Sequence, residues 1–225
     1  GMGWPWVDSV NIYFDPNADY AYYDGAIHIG GADFTKALDI AQHEYAHYIM
    51  DIAGRFPAEN DCPSPHYLTG ISGVHCGWTE GWADYFPLVA QSLWNTEGLR
   101  DPVFEWGDGG WQDLETPTWG TLYYWSNGPL VEGRVAAAMW DFYDAWEMND
   151  GYDTYQSPDC GGGQCYDPYD IWDTFLYATY SSFSDFWEGW KSLGSDQSQE
   201  GGTVAALYQN TIEFWPVLQY ARISG

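Results

Sequence analysis

"LDIAQHEYAHYIMD", residues 38–51, decides how this chain is read. His43 and His47 stand four apart, with Glu44 directly after the first. On a helix, positions i and i+4 share one face, a turn apart. Two imidazole nitrogens so placed can reach one zinc ion at about 2.0–2.1 Å. A glutamate after the first histidine projects beside such an ion, where it can take a proton from water. The bland alternative is an amphipathic helix whose histidines are satisfied core residues. It must account for two imidazoles at ligand spacing and the glutamate as well. The pattern nominates His43 and His47 as ligands and Glu44 as the base.

A catalytic zinc takes a third protein ligand and keeps one position open. "HCGWTEGWADYF", residues 75–86, offers Glu80 and Asp84, four apart on one face of a second helix. Glu80 can complete the metal shell. Asp84 can accept the free ring N–H of a ligating histidine, with His43 the foremost candidate, and so fix its tautomer. Asp51, four residues after His47, can approach the same centre. The alternative is a solvated acidic face, unremarkable in a chain with 33 acidic residues. Met50 and Ala53 occupy the Gly and His places of the longer metzincin pattern, which removes that option.

"HEYAHYIMD" followed by "TEGWAD" resembles the gluzincin metallopeptidases, most nearly the thermolysin-like ones. Those combine H-E-x-x-H-x-x-x-D on one helix with E-x-x-x-D on the next. The chain is similar, too, to secreted bacterial and archaeal zinc peptidases with HEYGH and EGWADYF segments. The resemblance covers about residues 10–90; "EGRVAAAMWDFYD" and "DFWEGWKSLG" fit only loosely. It implies a zincin-like fold, zinc on His43, His47 and Glu80, Glu44 as base, and Asp84 behind His43 with Asp51 in support. It also makes "AYYDGAIHIGG", residues 21–31, an edge strand bordering the cleft. Ile29 and Gly30 would there hold a peptide or protein substrate by strand addition. There are departures. The gap from His47 to Glu80 is long, Thr79 stands where Asn is usual, and no downstream histidine matches the family's oxyanion donor. Candidates for that donor are Arg134, His75 and the pair Tyr123 and Tyr124, with His66 and His28 set behind them. Arg134 could instead pair with Glu132 or Asp113.

Composition sets the class. The 225 residues are 45% apolar and 20% aromatic, including 15 Trp and 19 Tyr, which argues against disorder. Net charge is −27, with only six Lys and Arg together. Such a field repels phosphate backbones and argues against a nucleic-acid partner. No run has the roughly 18 apolar residues of a membrane helix. Four cysteines without C-x-x-C spacing favour disulfides over a metal site. Local pairs Cys62–Cys76 and Cys160–Cys165 close loops without long reach. They point to an oxidising, extracellular setting. The start "GMGWPW", with Gly before Met, suggests an added residue, so a signal or pro-segment is expected to be missing. Calcium is a weaker expectation. "DPNAD", residues 15–19, begins like an EF-hand loop, but Tyr20 and Ala26 break it. "NDGYD", residues 149–153, is a looser oxygen cluster or simply an acidic turn.

The expected architecture is α+β and a single domain. An antiparallel β-unit at about 1–32 precedes a mostly helical lobe at about 33–225. The spacing predicts a helix from Asp33 to about Ala53, with Ala37, Ala41, Tyr45, Tyr48 and Ile52 as its buried stripe. A second helix from Thr79 should kink or end at Pro87. A third follows Pro129, with Val131, Val135, Met139, Phe142 and Trp146 inward. Two more fall near 169–182, resuming to 193, and near 203–213. The chain thus reads as a secreted zinc peptidase. The rival is a non-catalytic zinc- or calcium-stabilised module that binds through Trp-rich surfaces. Oligomeric state is open.

Overall fold

A computed structural model describes residues 9–31, 38–94, 102–106, 110–115, 128–144, 169–193 and 200–212. Its order is β1 (Ile12–Asp15), β2 (Tyr22–Tyr23), β3 (Ile27–Gly30), α1 (Leu38–Ile52), α2 (Val74–Trp94), β4 (Val103–Trp106) and β5 (Gly110–Asp113). A short 3-10 turn, Gly128–Leu130, leads into α3 (Glu132–Asp144), α4 (Tyr169–Tyr177), α5 (Phe183–Leu193) and α6 (Glu200–Gln209). The architecture is α+β, as expected.

The front sheet differs from the expected antiparallel unit. β1 pairs with β3 in parallel and β2 pairs with β3 antiparallel, so β3 is the central strand. β1 covers one flank along the whole of β3, and β2 covers the other at Ile27 and His28. Ile29 and Gly30 are buried, and a Cβ on Gly30 would lie 2.7 Å from the Ala18 carbonyl oxygen. The close approach at Gly30 is made by the chain's own backbone. Burial of Ile29 and Gly30 and the backbone of Ala18 and Tyr20 against Gly30 count against strand addition of a substrate there. β4 and β5 form a separate antiparallel ribbon.

α2 is the axis of the molecule, packing against α1 on one side and α3 on the other. It runs through Pro87, contrary to the expected kink or stop. A proline there forfeits one backbone hydrogen bond and costs about 3 kcal/mol. Burial of Ala83, Tyr85, Leu88 and Val89 around it favours the continuous helix. Trp82 stacks on Phe175 of α4 with centroids 4.0 Å apart, and Trp78 lies on Phe186 of α5 at 5.1 Å. Each such pair adds about 0.5–1.5 kcal/mol beyond the area it buries. α4 ends earlier than expected, at Tyr177, before α5 begins at Phe183.

α1 ends as expected. Gly54 takes φ +64°, and the Arg55 N–H bonds the Met50 carbonyl at 2.7 Å, closing the last turn. The face it buries is not the predicted one. Asp39, His43, Glu44, Ala46, His47, Ile49 and Met50 are buried, whereas Tyr45 and Tyr48 are half-buried and Ile52 is exposed. The polar, ligand-bearing face turns inward because α2 presents Glu80 and Asp84 to meet it.

α2 and α3 approach closely through glycine. A Cβ on Gly81 would meet the Val135 side chain at 2.6 Å and the Glu132 carbonyl oxygen at 2.8 Å. Gly81→Ala should therefore force the helices apart and cost about 1–3 kcal/mol by overpacking. It should also shift its neighbour Glu80. Thermal denaturation checks the first effect and metal affinity the second; an unchanged Tm would contradict the contact.

Candidate metal centre

The site is built where α1 crosses α2. Helical spacing stacks His43 over His47 on α1, with Nε2 atoms 3.1 Å apart. Glu80, from the middle of α2, places Oε2 3.1 Å from His43 Nε2 and 3.1 Å from His47 Nε2. The three atoms form an equilateral triangle. A tetrahedral ion with ligands at about 2.0–2.1 Å separates them by roughly 3.3 Å, so the triangle fits zinc closely. All three residues are at most 9% exposed. Two imidazole nitrogens and a carboxylate converging in a buried space repel unless a proton or a metal ion lies between them.

Asp84 fixes the direction of that lone pair. Its Oδ1 lies 2.8 Å from His43 Nδ1, one turn beyond Glu80 on α2. With Asp84 ionised, His43 donates Nδ1–H to it, leaving Nε2 free to face the triangle. Burial disfavours a charged His43, but the hydrogen bonds with Asp84 and Glu80 outweigh it and hold the ring well above its ordinary pKa. Burial raises the Glu80 carboxyl, yet His47 and His43 pull it well below the ordinary range. Asp84 is pushed up by burial, against the His43 bond.

Glu44 is buried beside the triangle but is not part of it. Burial raises its pKa, with the two histidines opposing. A carboxylate so raised is a better proton acceptor than an exposed one.

Several expected residues lie elsewhere. Asp51 is exposed and accepts the Tyr23 hydroxyl at 2.7 Å, tying β2 to α1. Its expected support of the metal centre is thereby corrected; among the described residues His47 Nδ1 has no hydrogen-bond partner. Arg134 is buried on α3, its guanidinium bound to the Thr211 hydroxyl and the Asn210 carbonyl beyond α6. It is a tie between α3 and the end of α6, and neither the expected oxyanion donor nor an ion pair with Glu132. His75 is engaged by Asp61, with Nδ1 3.1 Å from Oδ2, and by Glu59 at 3.5 Å. That places it in the cap of α2, a correction to its candidacy as a donor. His28 stacks on Tyr22 and Tyr13 and bonds Asp24. Tyr123, Tyr124, Cys160, Cys165 and "NDGYD" lie outside the described residues. In "DPNAD", Asp15 accepts the Asn17 N–H at 2.9 Å, an ordinary turn.

His66 is the remaining histidine. It sits on the loop between α1 and α2, with Nδ1 3.1 Å from Oε1 of the buried Glu132. The Glu132 hydrogen bond raises its pKa to about 9. Its charge acts on Glu44, Glu80 and His43. The sequence carried one signal of this: His66 is one of only five histidines. Its partner lies 66 positions away, beyond any local pattern.

The Cys62–Cys76 disulfide forms as expected, between the loop and the first turn of α2. Among the described residues no helix is long and apolar enough to cross a membrane.

The fold and this cluster define an α+β protein with a buried His-His-Glu constellation suited to a divalent metal. A family model described as the Mycolysin C-terminal domain matches residues 6–211, and the chain belongs to that family, a domain of mycolysin-like metallopeptidases. The matched span includes His43, Glu44, His47, Glu80 and Asp84. Neither a curated protein nor a solved structure matches the chain.

Asp84→Ala should weaken zinc binding about 10–100-fold, because the histidine behind the ion loses its orientation. Asp51→Ala should leave it unchanged. Competition with a chromophoric chelator measures both, and equal losses would contradict the geometry. The His66–Glu132 pair predicts a pH effect on metal-free protein. His66 titrates near 9 when folded against 6.5 unperturbed, so its folded pKa is raised. Its contribution to stability is full below about 6.5 and fades as pH rises through about 9. The stability gap between wild type and His66→Asn should shrink over that window in denaturant titrations.

Proposed function

We propose that the chain is the catalytic domain of a secreted, zinc-dependent peptidase of the gluzincin type. The observation that carries this is the 3.1 Å triangle of His43, His47 and Glu80, with Asp84 behind His43. Zinc held there would polarise a scissile carbonyl and acidify the attacking water. Glu44 takes the proton from that water and passes it to the leaving amine. His66, kept protonated by Glu132, donates a hydrogen bond to the carbonyl oxygen as negative charge develops on it. Thr79 does not take part; its hydroxyl bonds the His75 carbonyl within α2.

Membership of a metallopeptidase-associated family supports peptide as the substrate class. A net charge of −27 favours cationic or neutral peptides. The disulfide supports an oxidising compartment. The rival binding module lacks its surface among the described residues. Trp78, Trp82, Trp140, Trp172, Trp187 and Trp190 are buried in the core, and Trp111 is exposed. No observation favours calcium.

Glu44→Gln keeps the ligands and removes the base. It should bind zinc with unchanged stoichiometry while turnover of a peptide library falls by about 100-fold or more. Glu80→Ala should lose zinc itself. Metal analysis beside a fluorogenic peptide assay checks the pair, and full activity in Glu44→Gln would sink the assignment.

A further inference from the structure

His66 stands on an exposed stretch of loop, so packing does not hold its ring. What holds it is the start of α3. His66 Nδ1 is 3.1 Å from Glu132 Oε1. Two residues along the loop, the Leu68 carbonyl accepts the Gly133 N–H at 2.9 Å. Further on, the Ser72 N–H and hydroxyl both reach the Leu130 carbonyl, at 2.8 and 3.0 Å. Between these ties the Gly70 N–H closes a turn on the Tyr67 carbonyl at 2.7 Å. Loop and helix therefore meet at matched positions, His66 on Glu132 and Leu68 on Gly133.

Gly133 sets how closely the two approach. A Cβ there would stand 2.8 Å from the Leu68 carbonyl oxygen, 2.9 Å from its Cδ2 and 3.0 Å from its Cγ. Leu68 is buried, so its side chain has little room to yield, and its carbonyl is fixed to the loop backbone. Any side chain at 133 would lift the loop from the helix. The His66–Glu132 bond has little slack to absorb this, since N–H···O bonds run about 2.7–3.2 Å. That bond also selects the ring's other nitrogen. With Nδ1–H donated to the carboxylate, Nε2–H is the donor left over, and it has no partner among the described residues.

We propose that Gly133 is a positioning residue for His66: its bare Cα lets the loop settle on α3 at the separation that keeps the His66 ring on Glu132. The seat itself needs no metal. What the seated ring then does rests on the zinc-hydrolase reading above, in which His66 donates to the carbonyl oxygen. His66 also faces the charges of Glu80 and Asp84 on α2 and of Glu44 and His43 on α1. Among the described residues only Glu132 bonds it, and that bond is the largest cause of its raised pKa. Lifting the loop weakens the bond, so the pKa falls back toward its ordinary value.

The test follows the His66 ring by proton NMR in the metal-free full chain, its resonance assigned with His66→Asn. Wild type should titrate near 9. In Gly133→Ala the midpoint should fall by ~1 pH unit or more, the usual scale for losing a close opposite charge. Zinc stoichiometry should be unchanged in this variant. Turnover of a peptide library should drop about tenfold or more, and the alkaline limb of its pH profile should move down with the midpoint. If Gly133→Ala does not fold, Gly133→Ala combined with Leu68→Ala replaces it. Cγ and Cδ2 are then gone, the carbonyl oxygen is still in the way, and the same shift is expected. An unchanged midpoint in a folded variant, whatever its loss of Tm, would overturn the proposal. A lowered midpoint with turnover and pH profile untouched would uphold the seat and remove His66 from the hydrolase reading.

Discussion

Three electron-donating atoms within 3.1 Å of one another, in a largely buried space, form the constraint on which this molecule depends. Left without a shared cation or proton, they repel. Everything near them is arranged to hold them there despite that. Asp84 points the His43 ring, Asp61 caps the helix that carries Glu80, and a disulfide pins the loop over the same carboxylate. The protein accepts a buried polar centre between its two longest helices, and the aromatic packing around α2 offsets that cost.

That packing explains an unusual feature of the sequence. A tryptophan-rich chain invites a reading of exposed stacking platforms, yet Trp78, Trp82, Trp140, Trp172, Trp187 and Trp190 are packed in the core. Trp78 and Trp82 flank the very turn that carries Thr79, Glu80 and Gly81, and they lock against α4 and α5. Gly81 completes the arrangement on the opposite side by letting Val135 come close. Glu80 is therefore positioned by contacts on both flanks. The precision of a metal site is borrowed from the core behind it.

Polar ties across the molecule do the same for residues that looked functional. Arg134 stood among the oxyanion candidates, but its Nη1 is held by Thr211 and the Asn210 carbonyl. Asp51 drew interest for its spacing after His47, but Tyr23 holds it. In each case the residue type was right for chemistry and the partner was set by distant chain. His66 is the converse. Nothing around it in sequence marks it, and Glu132, at the start of α3, gives it charge and direction.

The local chemistry of the site was legible in the sequence, because it depends on helical period alone. His43, Glu44 and His47 share a turn, Glu80 and Asp84 share another, and the Cys62–Cys76 loop closes over a short span. The α+β class followed from the change of period after the first strands. What only the tertiary structure decided were questions of which face turns inward and which partner arrives from afar. β3 became the centre of its sheet because β1 pairs with it in parallel, a long-range choice invisible in strand propensity. α2 passed through Pro87 because burial on both sides exceeds one lost hydrogen bond. α1 buried its polar face because α2 brought two carboxylates to it. Periodicity fixes neighbours along a helix; the free energy of packing, summed over the whole chain, selects the neighbours across it.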